Sequence, residues 1–253
     1  MKTFIVTTAE DAKGATSFNA PPVYLFYRLS HDGGLMRASL PMTAKGGVMG
    51  VYHNPDLDWG KVDSERLARE IIGECGRRGY AGVLLDFEEC MESAVCAQKV
   101  GTELKARGIV YFVPLRICAS CPSAKIIIPS AINGGSYDEM LQAYAAKFGA
   151  DRLCLEVVRV SRDYIMPVEG GDGQRISMGR LEEIKNKSGA QEYFSKELCA
   201  KYFTYLQDGQ VHFVLYDDVG TAAAKIERAS EAGYIGAFLL YSEWGKSAGE
   251  IMA

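Results

Sequence analysis

Eight short apolar runs, separated by longer stretches of helical periodicity, constrain this chain more than any other feature. They lie at 3–7, 23–29, 47–52, 82–87, 109–115, 125–129, 152–158 and 234–240. Several are apolar nearly throughout, as expected of strands covered on both faces. Strand-like and helix-like segments that alternate from end to end are the pattern of a parallel sheet with crossover helices. Eight such units in 253 residues predict an α/β chain folded as a closed (β/α)8 TIM barrel.

The helical stretches have readable ends. Asp63 or Ser64 can cap a helix that repeats Leu67, Ile71 and Cys75 on one face and stops near Gly79. Ser136-x-x-Glu139 is a capping-box pattern ahead of the stripe Met140, Leu141, Tyr144 and Phe148. Thr221 can cap the last long helix, with Gly233 as its stop. One interval breaks the alternation: between Val158 and Tyr234 lie about 75 residues, far more than one crossover needs. Residues 159–220 are therefore expected to hold a small α+β insertion after strand seven. Ser177 opens a helical run there, and the segments 202–206 and 211–216 flank Gln207-Asp208-Gly209-Gln210, a hairpin signature. No linker composition sets this insertion apart, so 1–253 reads as one barrel domain.

Charge and composition exclude several classes of function. A net charge of −4 gives no electrostatic reason to expect nucleic acid or an anionic membrane as partner. No run approaches the ~18 apolar residues of a spanning helix. The first residues, Met1 to Thr7, read as a strand rather than a signal peptide. Seven cysteines, an odd number, fit free thiols in a reducing compartment, so a cytoplasmic location is expected. Cys118 and Cys121 form the sole CxxC, and there are three histidines. A zinc site needs about four ligands, so neither a metal nor another cofactor is expected. Phosphate-loop and dinucleotide fingerprints are absent.

The segment Gly82-Val83-Leu84-Leu85-Asp86-Phe87-Glu88 carries the candidate chemistry. Alternate side chains of a strand share a face, which groups Leu84, Asp86 and Glu88. In a barrel that face looks into the lumen, and the carboxyl ends of the strands are where barrel enzymes keep their chemistry. The alternative is that Glu88, Glu89 and Glu92 only decorate the first turn of the next helix, where acids suit the dipole.

These residues resemble a family motif. Family-18 glycoside hydrolases, the chitinase-like barrels, carry D-G-x-D-x-D-x-E on their fourth strand, and this chain has Ala81-Gly82-Val83-Leu84-Leu85-Asp86-Phe87-Glu88 in the same place. The run from Val211 through Asp217-Asp218 and Lys225 to Gly233-Tyr234-Ile235-Gly236 is similar to the approach to the eighth strand in the spore-cortex and germination branch of that family. Phe26-Tyr27 and Asp32-Gly33 are similar to the second strand and turn of that branch. The resemblance implies a hydrolase acting on N-acetylglucosamine-containing glycan, peptidoglycan or chitin-like, by substrate-assisted retention. Carried over by position, Glu88 is the acid/base and Asp86 orients the acetamido group, whose own carbonyl is the nucleophile. A spore or cell-envelope setting is the branch's alternative to the cytoplasm.

The chain also departs from the family. Ala81 and Leu84 stand where the motif has aspartates. The sixth strand, Ile126-Ile127-Ile128-Pro129-Ser130-Ala131, lacks the family's Met-x-Tyr-Asp, and the tryptophan ending the eighth strand aligns near Leu240. Candidates to rebuild the substrate contacts are Tyr27, Tyr52 and Tyr241 at strand ends, Arg116 after strand five, Asn133 after strand six and Glu156 in strand seven. Salt bridging, turn formation or packing would equally account for each. Two readings stand: a family-18-type glycosidase, and a non-catalytic glycan-binding or spore-associated relative. Both take an oligosaccharide or polysaccharide ligand, and neither fixes an oligomeric state.

Overall fold

The computed structural model describes residues 1–38, 45–132, 134–167 and 173–252. Strand β1 (Lys2–Thr7) and β2 (Pro22–Leu29) lead to a short β3 (Leu35–Arg37) that folds back antiparallel on β2. There follow β4 (Val48–His53), β5 (Gly82–Asp86), β6 (Val110–Pro114), β7 (Lys125–Pro129) and β8 (Leu153–Glu156). Five strands belong to the insertion: β9 (Ser161–Met166), β10 (Gln174–Arg175), β11 (Tyr193–Ser195), β12 (Ala200–Gln207) and β13 (Gln210–Tyr216). The chain then returns as β14 (Gly236–Leu240). The order β1-β14-β8-β7-β6-β5-β4-β2, closed by a β1–β2 pairing, is an 8-stranded parallel barrel. Each barrel strand falls within two residues of its expected run.

The helices that ring the barrel are α1 (Ala12–Ala15), α2 (Ser64–Arg78), α3 (Met91–Ala106), α4 (Tyr137–Phe148) and, after the insertion's own α5 (Met178–Ser188), α6 (Val219–Glu231). A last short turn, α7 (Tyr241–Trp244), follows β14 directly. Asp63 caps α2 by accepting from the N–H groups of Glu65 and Arg66, and Gly79 ends it at φ 67°, a conformation glycine adopts without strain. The cap of α6 is Asp218 rather than Thr221. Asp218 accepts from the Thr221 N–H at 2.9 Å, and the Thr221 hydroxyl accepts from the Asp218 N–H at 2.9 Å. The expected residue is thus the far half of a capping box. No helix among the described residues is long and apolar enough to cross a membrane.

Strand alternation sorts the core into two layers. Phe4, Val6, Val23, Val48, Leu84, Phe112, Ile127, Cys154 and Phe238 fill the lumen. Phe4 stacks on Phe238 at 4.8 Å, and Phe112 meets both edge-on at 5.9 and 5.3 Å. Burial of each ring contributes roughly 1.5–3 kcal/mol, so the lumen is a packed plug and chemistry is confined to its mouth. Val83, Leu85 and Phe87 point the other way, into the larger cluster beneath the helices.

The insertion is a five-stranded antiparallel sheet, β10-β9-β13-β12-β11, with α5 against it. The predicted hairpin joins β12 to β13, with Asp208 at φ 52° and Gly209 at φ 77° between the paired Gln207 and Gln210. Two positive-φ residues are what a type I′ turn demands. A buried ion pair fastens the insertion to the barrel. The Lys225 Nζ on α6 lies 2.8 and 2.7 Å from the two carboxylate oxygens of Asp217. Asp217 also accepts from the Val160 N–H at 3.1 Å, just after β8.

Candidate functional site

The lumen face, followed upward past the plug, ends in polar side chains. On β5 the residue above Leu84 is Asp86, and on β8 the residue above Cys154 is Glu156. Tyr52 shares the face of Val48 on β4 and pairs in register with Asp86. Arg116 lies in the turn after β6. Its Nη2 bonds the Asp86 carboxylate and its Nε donates to the Phe87 carbonyl at 2.7 Å. Thus Asp86, Arg116, Glu156 and Tyr52, each chosen from sequence alone, stand at the carboxyl ends of barrel strands β5, β6, β8 and β4.

Glu156 has the most unusual environment of the four. Its side chain is exposed at the end of β8. Burial pushes its carboxyl above the ordinary glutamate range, the negative charges of Asp86 and Glu243 add to this, and Arg116 opposes it. A carboxyl whose pKa is raised by burial and by a second carboxylate is of the kind that general-acid catalysis of glycoside cleavage uses.

Glu88 takes a different direction. The β4–β5 ladder ends at the Tyr52–Asp86 pair, and beyond it the chain leaves the strand. Phe87 is fully buried, with its ring 4.9 Å from that of Trp59. Glu88 lies on the rim at the β4 side. One carboxylate oxygen accepts from the Trp59 indole N–H, and the other is 3.7 Å from the His53 Nε2. Its side chain keeps 42% of its surface exposed. Of the three acids that could have decorated a helix start, Glu92 lies in the first turn of α3, while Glu88 and Glu89 precede it.

Two of the tyrosines are corrected by the structure. Tyr27 is fully buried, and its hydroxyl donates to Glu74 on α2 at 2.8 Å and lies 3.3 Å from the Tyr80 hydroxyl. Burial, followed by these hydrogen bonds, raises its phenol, and no sugar can reach the ring. The cause is a bulge in β2: Leu25 pairs with Gly50 but Tyr27 with Val51, which turns Tyr27 from lumen to wall. Tyr241 opens α7 and packs outside the barrel against Phe18, at 6.1 Å between rings. Its hydroxyl would lie 2.2 Å from a Cβ added at Gly14 in α1, so the ring end packs against the α1 backbone there. Tyr241 is thus partly buried against the core beneath the helices. Asn133 lies outside the described residues.

Sequence reasoning did not single out Glu243, Arg159 or Trp244 for the site. Trp244 is buried and donates from Nε1 to the Val157 carbonyl at 2.9 Å, with the Arg159 guanidinium 4.8 Å above its ring. Cys118 and Cys121 are buried free thiols, and burial pushes Cys121 up to about 11. No group of three or more histidine, cysteine, aspartate or glutamate side chains able to hold a metal ion occurs among the described residues.

Comparison with known proteins places this architecture. No family model matches the sequence, and no curated protein matches it. Among solved structures, the Bacillus megaterium QM B1551 spore cortex-lytic enzyme SleL superimposes with a TM-score of 0.69 at 12% identity, over 98% of this chain and 73% of that one. A chitinase from Chromobacterium violaceum gives 0.70 at 14% identity, over 98% and 97%. A family-18 chitinase from Cycas revoluta, crystallised with (GlcNAc)4, gives 0.66 at 14% identity, over the whole of both chains at 100%. The chain shares its fold with chitinases and spore cortex-lytic enzymes.

Proposed function

We propose that the protein is a chitinase-like barrel that binds an N-acetylglucosamine-containing glycan, peptidoglycan or chitin-like, across its mouth, and that its inherited acid and orienting carboxylate are fastened away from efficient turnover. The observation that carries this reading is the Arg116–Asp86 pair. In substrate-assisted cleavage the orienting carboxylate must turn onto the acetamido N–H. Here it must first give up a charge-assisted bond to a guanidinium that is itself anchored on the Phe87 carbonyl. Leu84 below it offers no proton to share. Loss of one transition-state donor of this kind costs roughly 2.7–4 kcal/mol in other hydrolases. Ground-state binding asks for less: a concave opening with a few convergent polar groups, which Asp86, Arg116, Glu156 and Tyr52 supply.

A second reading has its own support. Burial and the charge of Asp86 raise the Glu156 carboxyl, which favours it as the acid at the strand ends. Hydrolysis would then run through Glu156. The two readings separate in one experiment: hydrolysis and affinity for chitooligosaccharides and peptidoglycan fragments, in wild type, Glu88→Gln and Glu156→Gln. Binding with little or no turnover in all three supports the first reading. Turnover lost only in Glu156→Gln supports the second. A spore or cell-envelope setting fits the fold shared with a spore cortex-lytic enzyme.

A further inference from the structure

A crevice of about 460 Å³ lies where the insertion meets the barrel rim, lined by Arg159, Ser161, Arg175, Ser177, Met178 and Glu243 among others. It is built of donors. The Ser161 hydroxyl is buried, the residue being 6% exposed, and has no hydrogen-bond partner. The Nε of Arg159 is likewise buried and unpartnered, while Nη1 of the same guanidinium is spent on the Glu243 carbonyl at 2.9 Å. Ser177 and Met178 are the cap and first residue of α5, an 11-residue helix whose leading N–H groups carry positive dipole charge. Three independent features thus present hydrogen-bond donors or positive charge to one space.

The acid in the crevice defines what fits. Glu243 accepts from the Arg159 N–H at 3.0 Å and from Arg175 Nη2 at 3.3 Å. Two guanidiniums against one carboxylate leave a single positive charge, so the space suits a monoanion better than a doubly charged phosphate. A carboxylate is planar, accepts from a guanidinium edge and a hydroxyl together, and leaves no unmet charge. Glu243 also ties the crevice to the strand ends: it accepts from the Arg159 N–H three residues past Glu156, and it follows β14, whose Phe238 pairs in register with Glu156. A glycan lying over Asp86 and Glu156 would bring a substituent of the neighbouring sugar to the crevice.

Building on the glycan-binding reading, we infer that this crevice is a subsite for a carboxylate carried on the amino-sugar chain, which makes the preferred ligand an acidic polymer of muramyl type rather than neutral chitin. The test is calorimetric titration with three probes: a tetrasaccharide of alternating N-acetylglucosamine and N-acetylmuramic acid, the same compound with its lactyl carboxylates amidated, and chitotetraose. The free acid should bind wild type about tenfold more tightly than either neutral probe, the scale of one charge-assisted hydrogen bond. Arg175→Gln and Ser161→Ala should each erase that preference. Arg159 is left intact because its stacking on Trp244 is also a packing contact. Equal affinity for acid and amide in wild type, or a preference that survives both substitutions, would overturn the subsite while the glycan reading stands. Binding of none of the probes would overturn both, and the fault would lie in the glycan reading.

Discussion

Replacing Lys225 with methionine should destabilise the protein by about 3–5 kcal/mol, the usual cost of stranding one partner of a buried ion pair. Lys225 is 1% exposed and Asp217 is fully buried. Their contacts at 2.8 and 2.7 Å are accompanied, among the described residues, by two others to the carboxylate, from the Thr221 hydroxyl at 2.9 Å and the Val160 N–H at 3.1 Å. Methionine replaces most of the lysine stem, so little of the loss comes from a cavity. What remains is a buried negative charge held by two neutral donors. At roughly 2–4 °C per kcal/mol for a domain of this size, Tm should fall by about 6–20 °C. Urea unfolding followed by circular dichroism reads the loss, and the slope should be unchanged if only stability is altered. Asp217→Asn in the Lys225→Met background should recover much of it, because an amide needs no counter-charge. A loss below ~1 kcal/mol, the scale of an exposed pair, would mean that water reaches Asp217 and that this pair does not fasten the insertion to the barrel.

Gly101→Ala on α3 sets a helix-propensity gain of about 1 kcal/mol against overpacking of about 1–3 kcal/mol. The new Cβ would lie 2.5 Å from the Tyr111 ring, so net destabilisation in urea is expected, and a stabilised variant would refute the close approach. Arg116→Gln should push the Glu156 carboxyl higher still, because Arg116 is the charge that opposes burial, Asp86 and Glu243. A 13C-detected titration of Glu156 that does not move would remove the two residues from one mouth. Burial alone would raise Glu74, but hydrogen bonds from Arg77 and Tyr27 and the charges of Arg77 and Arg37 outweigh it and hold it below the glutamate range. The folded state therefore binds this proton less readily than the unfolded chain. The resulting stability is present above about pH 4.3 and fades as pH falls through the folded value. The gap in urea midpoint between wild type and Glu74→Gln should shrink over that window, and a gap independent of pH would contradict the assignment.

The barrel was legible because its strands are buried on both faces, which writes each as an uninterrupted apolar run. The Asp208-Gly209 turn was legible because a type I′ hairpin admits few other residues. Alternation puts Asp86 and Glu156 on the lumen face, each two residues above a lumen side chain. The same rule misplaced Tyr27 because one extra residue in β2 inverts the facing of everything after it, and a bulge leaves no mark in composition. Alternation does not set the direction of Glu88, because the strand stops at Asp86. Past that point, packing of Phe87 on Trp59 sets the direction, not the pleat. Tyr241 follows the last strand as a platform would, but α7 begins at once and swings the ring onto Phe18. Arg159 and Glu243 were invisible because their association spans 84 residues and depends on how the insertion meets the rim.

We propose that a glycan is held at the mouth by Asp86, Arg116, Glu156 and Tyr52, with Glu88 a rim contact to Trp59 and His53. It is tested most directly by titrating chitotetraose into wild type, Glu156→Gln and Glu88→Gln and assaying the same mixtures for released sugar. Measurable binding by wild type is expected, with weaker binding by Glu156→Gln and binding by Glu88→Gln within about threefold of wild type, the reach of a rim contact. Efficient cleavage by wild type that disappears in Glu88→Gln would contradict it.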